Sequence, residues 1–266
     1  MIKTIKTKFN RNSKTIQIYY KYQNKTNIIN YLITLLIIIL LKLQIIHSES
    51  EITITINGNG KQQILSTFSG NCGGEANFTV LPDQIFVNGI LQNYTDKYVD
   101  NLIDQTNRIR MKWNKPLTSC NVMFLDLKNI TKIDLSKFDS SQVTEMRCMF
   151  LRCTSLVSLN LNNFNTSLVT NMHAMFHSCT SLQFIDLKNF DTSNVTCMWA
   201  MFYQCYSLKS LDLSNFNTSK VNDTHEMFYK CFSLIRLNLV NFNLKEDISI
   251  TDMFYGVNTS LIYCID

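Results

Sequence analysis

Met201-Phe202-Tyr203-Gln204-Cys205-Tyr206-Ser207-Leu208-Lys209-Ser210-Leu211-Asp212-Leu213-Ser214-Asn215-Phe216 is the stretch from which the fold is read. Its Met-Phe pair recurs every 26 residues, with Phe at 124, 150, 176, 202, 228 and 254. With that Met as position 1, Cys153, Cys179, Cys205 and Cys231 fall at position 5. Ile130, Leu156, Leu182, Leu208 and Leu234 fall at 8, and Leu135, Leu161, Leu187, Leu213 and Leu239 at 13. Position 11 holds Ile133, Leu159, Ile185, Leu211 and Leu237, and position 16 holds Phe138, Phe164, Phe190, Phe216 and Phe242. A fixed period of roughly 20–50 residues marks small units that bury their apolar faces only by stacking on one another.

Within one repeat, positions 11 and 13 share a strand face and position 12 points the other way. Val195, Met198, Met201, Phe202 and Cys205 are spaced 3, 3, 1 and 3, an apolar stripe at helical spacing. Asp191-Thr192-Ser193 and Asn217-Thr218-Ser219 suit a turn leading into a helix N-cap. The expected fold is an α/β repeat solenoid. Its leucine-rich-repeat-like coils run strand, turn and short helix, and its parallel strands lie about 4.8 Å apart. Met would fill the space between sheet and helices.

The pattern MF-x-x-C-x-SL-x-x-LDLS-x-F-x-TS-x-V-x-x-M resembles the 26-residue repeat of BspA-like leucine-rich-repeat surface proteins, over about residues 111 to 266. The upstream pieces Asn57-Gly58-Asn59-Gly60, Leu81-Pro82-Asp83-Gln84 and Trp113-Asn114-Lys115-Pro116-Leu117 look like the region that precedes such repeats. The chain departs from the pattern at Leu127, Thr224, Asp247 and Ile250, and Leu261 sits one place late. The resemblance implies surface attachment and binding of host or matrix proteins. It transfers no binding residue.

The chain divides into a basic cytosolic leader (1–27), an apolar region (28–46), a small β-rich N-terminal cap (51–116), and five repeats plus a partial sixth (117–266). In the cap, 51–56 and 63–68 read as strands, 69–77 as a loop, and 84–87 and 108–113 as further strands. The cap would cover the otherwise open strand edge of the first coil.

The net charge of +5 is uneven. Residues 1–42 carry eight Lys/Arg and no acid, whereas the remainder is balanced at −3. The basic excess therefore belongs to the leader, and no nucleic-acid partner is expected. Two readings fit the apolar region. One is a signal peptide cleaved near Ser50. The other is an uncleaved signal anchor, a transmembrane helix over residues 28–46. Both place the repeats on the exported side, at a membrane or cell surface, or secreted after cleavage. Sequons at Asn77, Asn93, Asn129, Asn165, Asn194, Asn217, Asn222 and Asn258 are possible N-glycosylation sites of such a protein.

The position-5 cysteines lie on the apolar stripe and read as a buried thiol column. Outside it lie Cys72, Cys120, Cys148, Cys197 and Cys264, of which Cys72 with Cys120 is the expected bridge. The sequence holds no phosphate loop, no Gly-x-Ser-x-Gly and no dinucleotide fingerprint. His173 and His177, at i and i+4, could chelate zinc, but the intervening Ala174, Met175 and Phe176 lack the glutamate of a metalloprotease helix. They read as two exposed histidines on the outward face of a helix. No catalytic, cofactor-binding or metal residue is assigned, and no cofactor is expected.

The outward strand face at positions 10, 12 and 14 offers a candidate binding face: Lys132, Asp134, Phe184, Asp186, Lys188, Asp212 and Arg236, with Phe184 as aromatic anchor. The expected function is that of a non-enzymatic, exported, membrane-associated repeat protein presenting its surface for adhesion or recognition of an extracellular protein or glycan. The alternatives are a self-associating surface-coat component and an enzyme with its site in 51–116.

Overall fold

The computed structural model describes residues 29–37, 50–72, 75–244, 248, 250, 252–258 and 262–263. The chain forms two compact units, 1–48 and 49–266. In the first, residues 29–37 are helical and exposed. Among the described residues no helix is long and apolar enough to cross a membrane. This overturns the expected transmembrane helix and signal anchor. A bilayer core needs about 20 helical residues, and nine residues rise only about 14 Å. The leader 1–27 and the remainder of 28–46 lie outside the described residues.

The second unit opens with β1 (Ser50–Asn57), whose alternating Ile52, Ile54 and Ile56 are fully buried. A period of two puts these three on one face, and the core takes that face. β1 lies between β8 (Thr106–Trp113) and β9 (Ile130–Lys137), antiparallel to both, with Ile54 opposite Ile109 and Ile133. On β8, Asn107, Ile109, Met111 and Trp113 face the core, while Arg108, Arg110 and Lys112 face away. β5 (Gln84–Val87), β6 (Ile90–Leu91) and β10 (Ser158–Asn160) complete a six-stranded sheet in the order β10-β9-β1-β8-β5-β6. Two antiparallel pairs stand apart. One is β2 (Gly60–Gln63) with β7 (Tyr98–Leu102); the other is β3 (Ser69–Asn71) with β4 (Glu75–Asn77), where a loop was expected. β11 (Ser210–Asp212), β12 (Arg236–Asn238) and β13 (Ile262–Tyr263) form a parallel three-stranded sheet.

The α/β solenoid is therefore not the fold. The described residues of unit 49–266 are strands in mixed sheets and hydrogen-bonded turns, and no repeat carries its expected helix. The backbone supplies the reason. The residue before each Met and the second residue after each Phe are left-handed: Val122 and Asp126, Cys148 and Arg152, Ala174 and Ser178, Ala200 and Gln204, Glu226 and Lys230, with φ between 51° and 63°. Such residues interrupt a right-handed helix. The N–H groups confirm it, because a helix would send every one to the carbonyl four residues back. Here Cys148, Phe150 and Arg152 donate instead to His173, Met175 and His177 of the next repeat, at 2.9, 3.0 and 2.8 Å. Between them, Met149, Leu151 and Cys153 donate three residues back, closing turns. Turns that return every three residues give apolar side chains the same spacing as a helix, and the sequence pattern does not separate the two.

The repeats nonetheless stack in the register the columns require. Phe124, Phe150, Phe176, Phe202, Phe228 and Phe254 form one line of near-parallel rings, 5.5–5.8 Å apart. Phe138, Phe164, Phe190 and Phe216 form a second at 6.0–6.4 Å. Offset-parallel rings at such separations attract beyond their area burial. The thiols of Cys153, Cys179, Cys205 and Cys231 are buried and unbridged, and each donates to a Phe carbonyl of the preceding repeat at 3.1–3.2 Å. Burial pushes all four pKa values up, that of Cys231 to about 12.

The expected continuous parallel sheet is interrupted, since Phe184–Asp186 form no strand. Continuity comes instead from single parallel bridges joining Ser119, Glu145, Asn171, Cys197 and Asp223. The Asp/Asn-Thr-Ser links form turns without a helix to cap. Asp191 Oδ1 accepts from Ser193 N at 2.9 Å, and buried Thr192 Oγ1 donates to the Asn217 carbonyl at 3.0 Å.

Candidate functional site

The expected binding face divides among three places. Lys132 and Asp134 lie on β9, opposite Ser158 and Asn160 of β10. Asp212 and Arg236 lie in the other sheet, opposite Asn238 and Ser210. Phe184, Asp186 and Lys188 occupy the unstranded repeat between them. Phe184 is 60% exposed, with Lys209 Nζ 5.7 Å from its ring centre. The position-12 side chains have a local duty. Asp134, Asn160, Asp186, Asp212 and Asn238 each accept from the N–H two residues on, at 3.0–3.2 Å. These are Asx-turns that end the strand and start the loop. Asp186 also pairs with Lys188 at 2.8 Å, and these bonds hold its carboxyl below the usual range. The acids of this column thus have a structural reason to be there.

A different column gathers the aromatic surface. The residue after each Met-Phe pair, position 3, is His177, Tyr203, Tyr229 and Tyr255 in the last four repeats. Their rings stack at 4.5, 4.8 and 4.9 Å. Beside them His173 packs against Trp199, the ring centres 4.7 Å apart and the planes tilted by 37°. A helix would have turned these residues outward as isolated side chains; the stacked turns bring each against its counterpart in the next repeat. The signal was present in the sequence as a fixed column, but the helical reading hid it.

The histidines also differ from expectation. His173 is buried, with Nδ1 3.1 Å from the Trp199 carbonyl, and burial lowers its pKa. His177 is half-buried, its Nδ1 2.8 Å from Ser178 Oγ, and burial brings its pKa down to about 4. Both line an open cavity of about 810 Å³ with Trp199, Tyr203, Arg152 and Glu226.

Cys72, just past β3, lines the same cavity. Its bridge is to Cys148, 76 residues on and 6.6 Å away between Cα atoms, and not to Cys120, which is buried and free. This corrects the expected pairing. Cys120 and Cys148 are both fully buried, and it is Cys148 that lies within bonding reach of Cys72.

The sequon asparagines have various surroundings. Asn77, Asn93, Asn165, Asn217, Asn222 and Asn258 are exposed. Asn129 is exposed but donates to Gln62 Oε1 at 2.8 Å, and half-buried Asn194 donates to the Ser167 carbonyl at 2.8 Å.

The family model described as Mycoplasma protein of unknown function, DUF285, matches residues 102–183 and 152–261. The chain belongs to this family. The matches run from the end of β7 through β8 and all six Met-Phe pairs. No curated protein and no solved structure matches the chain.

Proposed function

We propose that this DUF285 chain is a non-enzymatic, exported repeat protein, of the BspA-like surface type, that recognises an extracellular protein or glycan. The observation that carries the reading is the ring column His177-Tyr203-Tyr229-Tyr255 beside Trp199, with Arg152, Gln204 and Glu226 at the cavity wall. Rigid aromatic faces with polar groups at their edges suit recognition, because they supply contact area at low entropy cost. Repeat proteins use extended surfaces of this kind. Export draws support from the basic-then-apolar leader, from the start of the second compact unit at Glu49, close to the expected cleavage point, and from the Cys72–Cys148 bridge.

The test is binding of the purified chain to immobilised matrix proteins and to a glycan array, with Tyr203→Ser and Tyr229→Ser alongside. Saturable binding weakened by both substitutions supports the reading. Binding unchanged by them, or concentration-dependent self-association in size-exclusion chromatography without ligand binding, overturns it and favours a coat component.

A further inference from the structure

We propose that Cys72, Cys148 and His173 form a redox-gated zinc site. The three ligand atoms, two Sγ and one imidazole nitrogen, lie within 4.8 Å of one another. Tetrahedral zinc, with Zn–S about 2.3 Å and Zn–N about 2.0–2.1 Å, sets neighbouring donor atoms about 3.5–3.8 Å apart; the two sulfurs, bonded to each other here, have to part to that distance, with the imidazole nitrogen already within 4.8 Å of both. Thiolate with imidazole is also the donor set that selects zinc over the hard cations.

The histidine is held as a ligand would be. The Trp199 carbonyl can only accept, so Nδ1, 3.1 Å away, carries the hydrogen. Nε2 is left with the free lone pair. A ring N–H donated to a backbone carbonyl is the usual outer-shell arrangement of a metal-bound histidine. The Trp199 ring, tilted by 37° with its centre 4.7 Å away, packs against the imidazole and limits its rotation. Two cysteines and one histidine leave the fourth position open, and Cys72 and His173 both line the cavity, which has room for water or an exogenous ligand there.

The combination occurs once. In the Cys148 column the other repeats place Val122, Ala174, Ala200, Glu226 and Asp252, and in the His173 column Asn121, Arg147, Trp199, His225 and Thr251. The buried position-5 thiols repeat along the stack and serve packing; Cys148 does not belong to them.

The gate is the disulfide. With the bridge closed, neither sulfur is a thiolate and the site cannot take the metal. A dithiol reductant transfers two electrons and two protons: its own two S–H groups become one S–S bond, and the Cys72–Cys148 bond becomes two S–H groups. Zinc then displaces both thiol protons to solvent and bonds the two thiolates and Nε2. An oxidising compartment therefore holds the bridged form, and a reducing one the metal-ready form.

The experiment uses the full chain, reduced with a dithiol that is then removed without air, and titrated with Co²⁺ as a spectroscopic stand-in for zinc. One equivalent should bring up thiolate-to-cobalt charge-transfer absorption, and Zn²⁺ should bleach it. The oxidised chain should show none. Cys72→Ser and Cys148→Ser should abolish the band, and Cys197→Ser should leave it. His173→Gln should weaken binding by more than the roughly 10–100-fold cost of losing an outer-shell partner. To guard against variants that misfold, unmutated reduced protein is alkylated with and without Zn²⁺, and the labelled peptides are mapped. Zinc should protect Cys72 and Cys148 specifically. Absence of cobalt uptake by the reduced chain, equal uptake by the oxidised chain, or uptake with Cys72 and Cys148 still alkylated overturns the proposal.

Discussion

Lys230→Gly separates stacked turns from a helix by the sign of its effect. Lys230 holds φ at 58°, and its side chain is half-buried, with Nζ 5.1 Å from the neighbouring Tyr229 ring centre. A left-handed conformation costs a residue with a Cβ roughly 1–2 kcal/mol, which glycine does not incur. Glycine returns part of that, about 0.5–1 kcal/mol, through the greater freedom it loses on folding. The net expectation is a gain of about 0.5–1 kcal/mol, or about 2–4 °C in Tm per kcal/mol for a unit of this size. In a helix interior the same change would cost about 0.7 kcal/mol, the difference in helix propensity between Lys and Gly. Lys230→Ala is the control, since alanine is as strained here as lysine and should change little. Urea unfolding of the full chain, followed through Trp113 and Trp199, measures both variants. A destabilised Lys230→Gly would refute the turn geometry and restore the helical reading.

Phe190 is 3% exposed and packs between Phe164 and Phe216 at 6.0 and 6.4 Å, so Phe190→Ala should cost about 3–5 kcal/mol in the same assay. Exposed Asp186 loses only its turn bond and a surface ion pair, and Asp186→Ala should stay within about 1 kcal/mol; equal costs at the two positions would remove the case for stacking in this register. Cys179 and Cys205 should resist alkylation in the native protein and react after denaturation, as buried thiols whose ionisation burial opposes; rapid native labelling would contradict the buried column. The folded-state pKa of His177 lies near 4 against 6.5 for the free group, so the unfolded chain takes up the proton first as pH falls. Stability should therefore be full above about 6.5 and decline toward pH 4, by on the order of 2 kcal/mol once partial exposure is allowed for. His177→Tyr, which continues the tyrosine column, should remove that share of the pH dependence; an unaltered pH profile would show that His177 is not buried in the stack.

The 26-residue period by itself determined that the repeats stack, which columns face inward, and which rings meet. Period is a property of the covalent chain, and stacked identical units must place like residues against like. Parity within each strand followed too: Leu211 and Leu213 are buried and Asp212 is exposed, as a two-residue alternation requires. The helix was misread because a three-residue apolar spacing belongs equally to successive turns. What separates them is the destination of each N–H. Phe150 N reaches Met175 of the next repeat only when the neighbour is already stacked, and that long-range bond holds Cys148 and Arg152 in left-handed conformations that no residue type announces. The aromatic column was legible at position 3, but whether it faces solvent as a row or as isolated side chains depended on the same choice. The partner of Cys72 was out of reach for a related reason. Spacing says nothing about which of several distant cysteines the segment after β3 will reach, and only the tertiary structure brings Cys72 to Cys148 and both to His173.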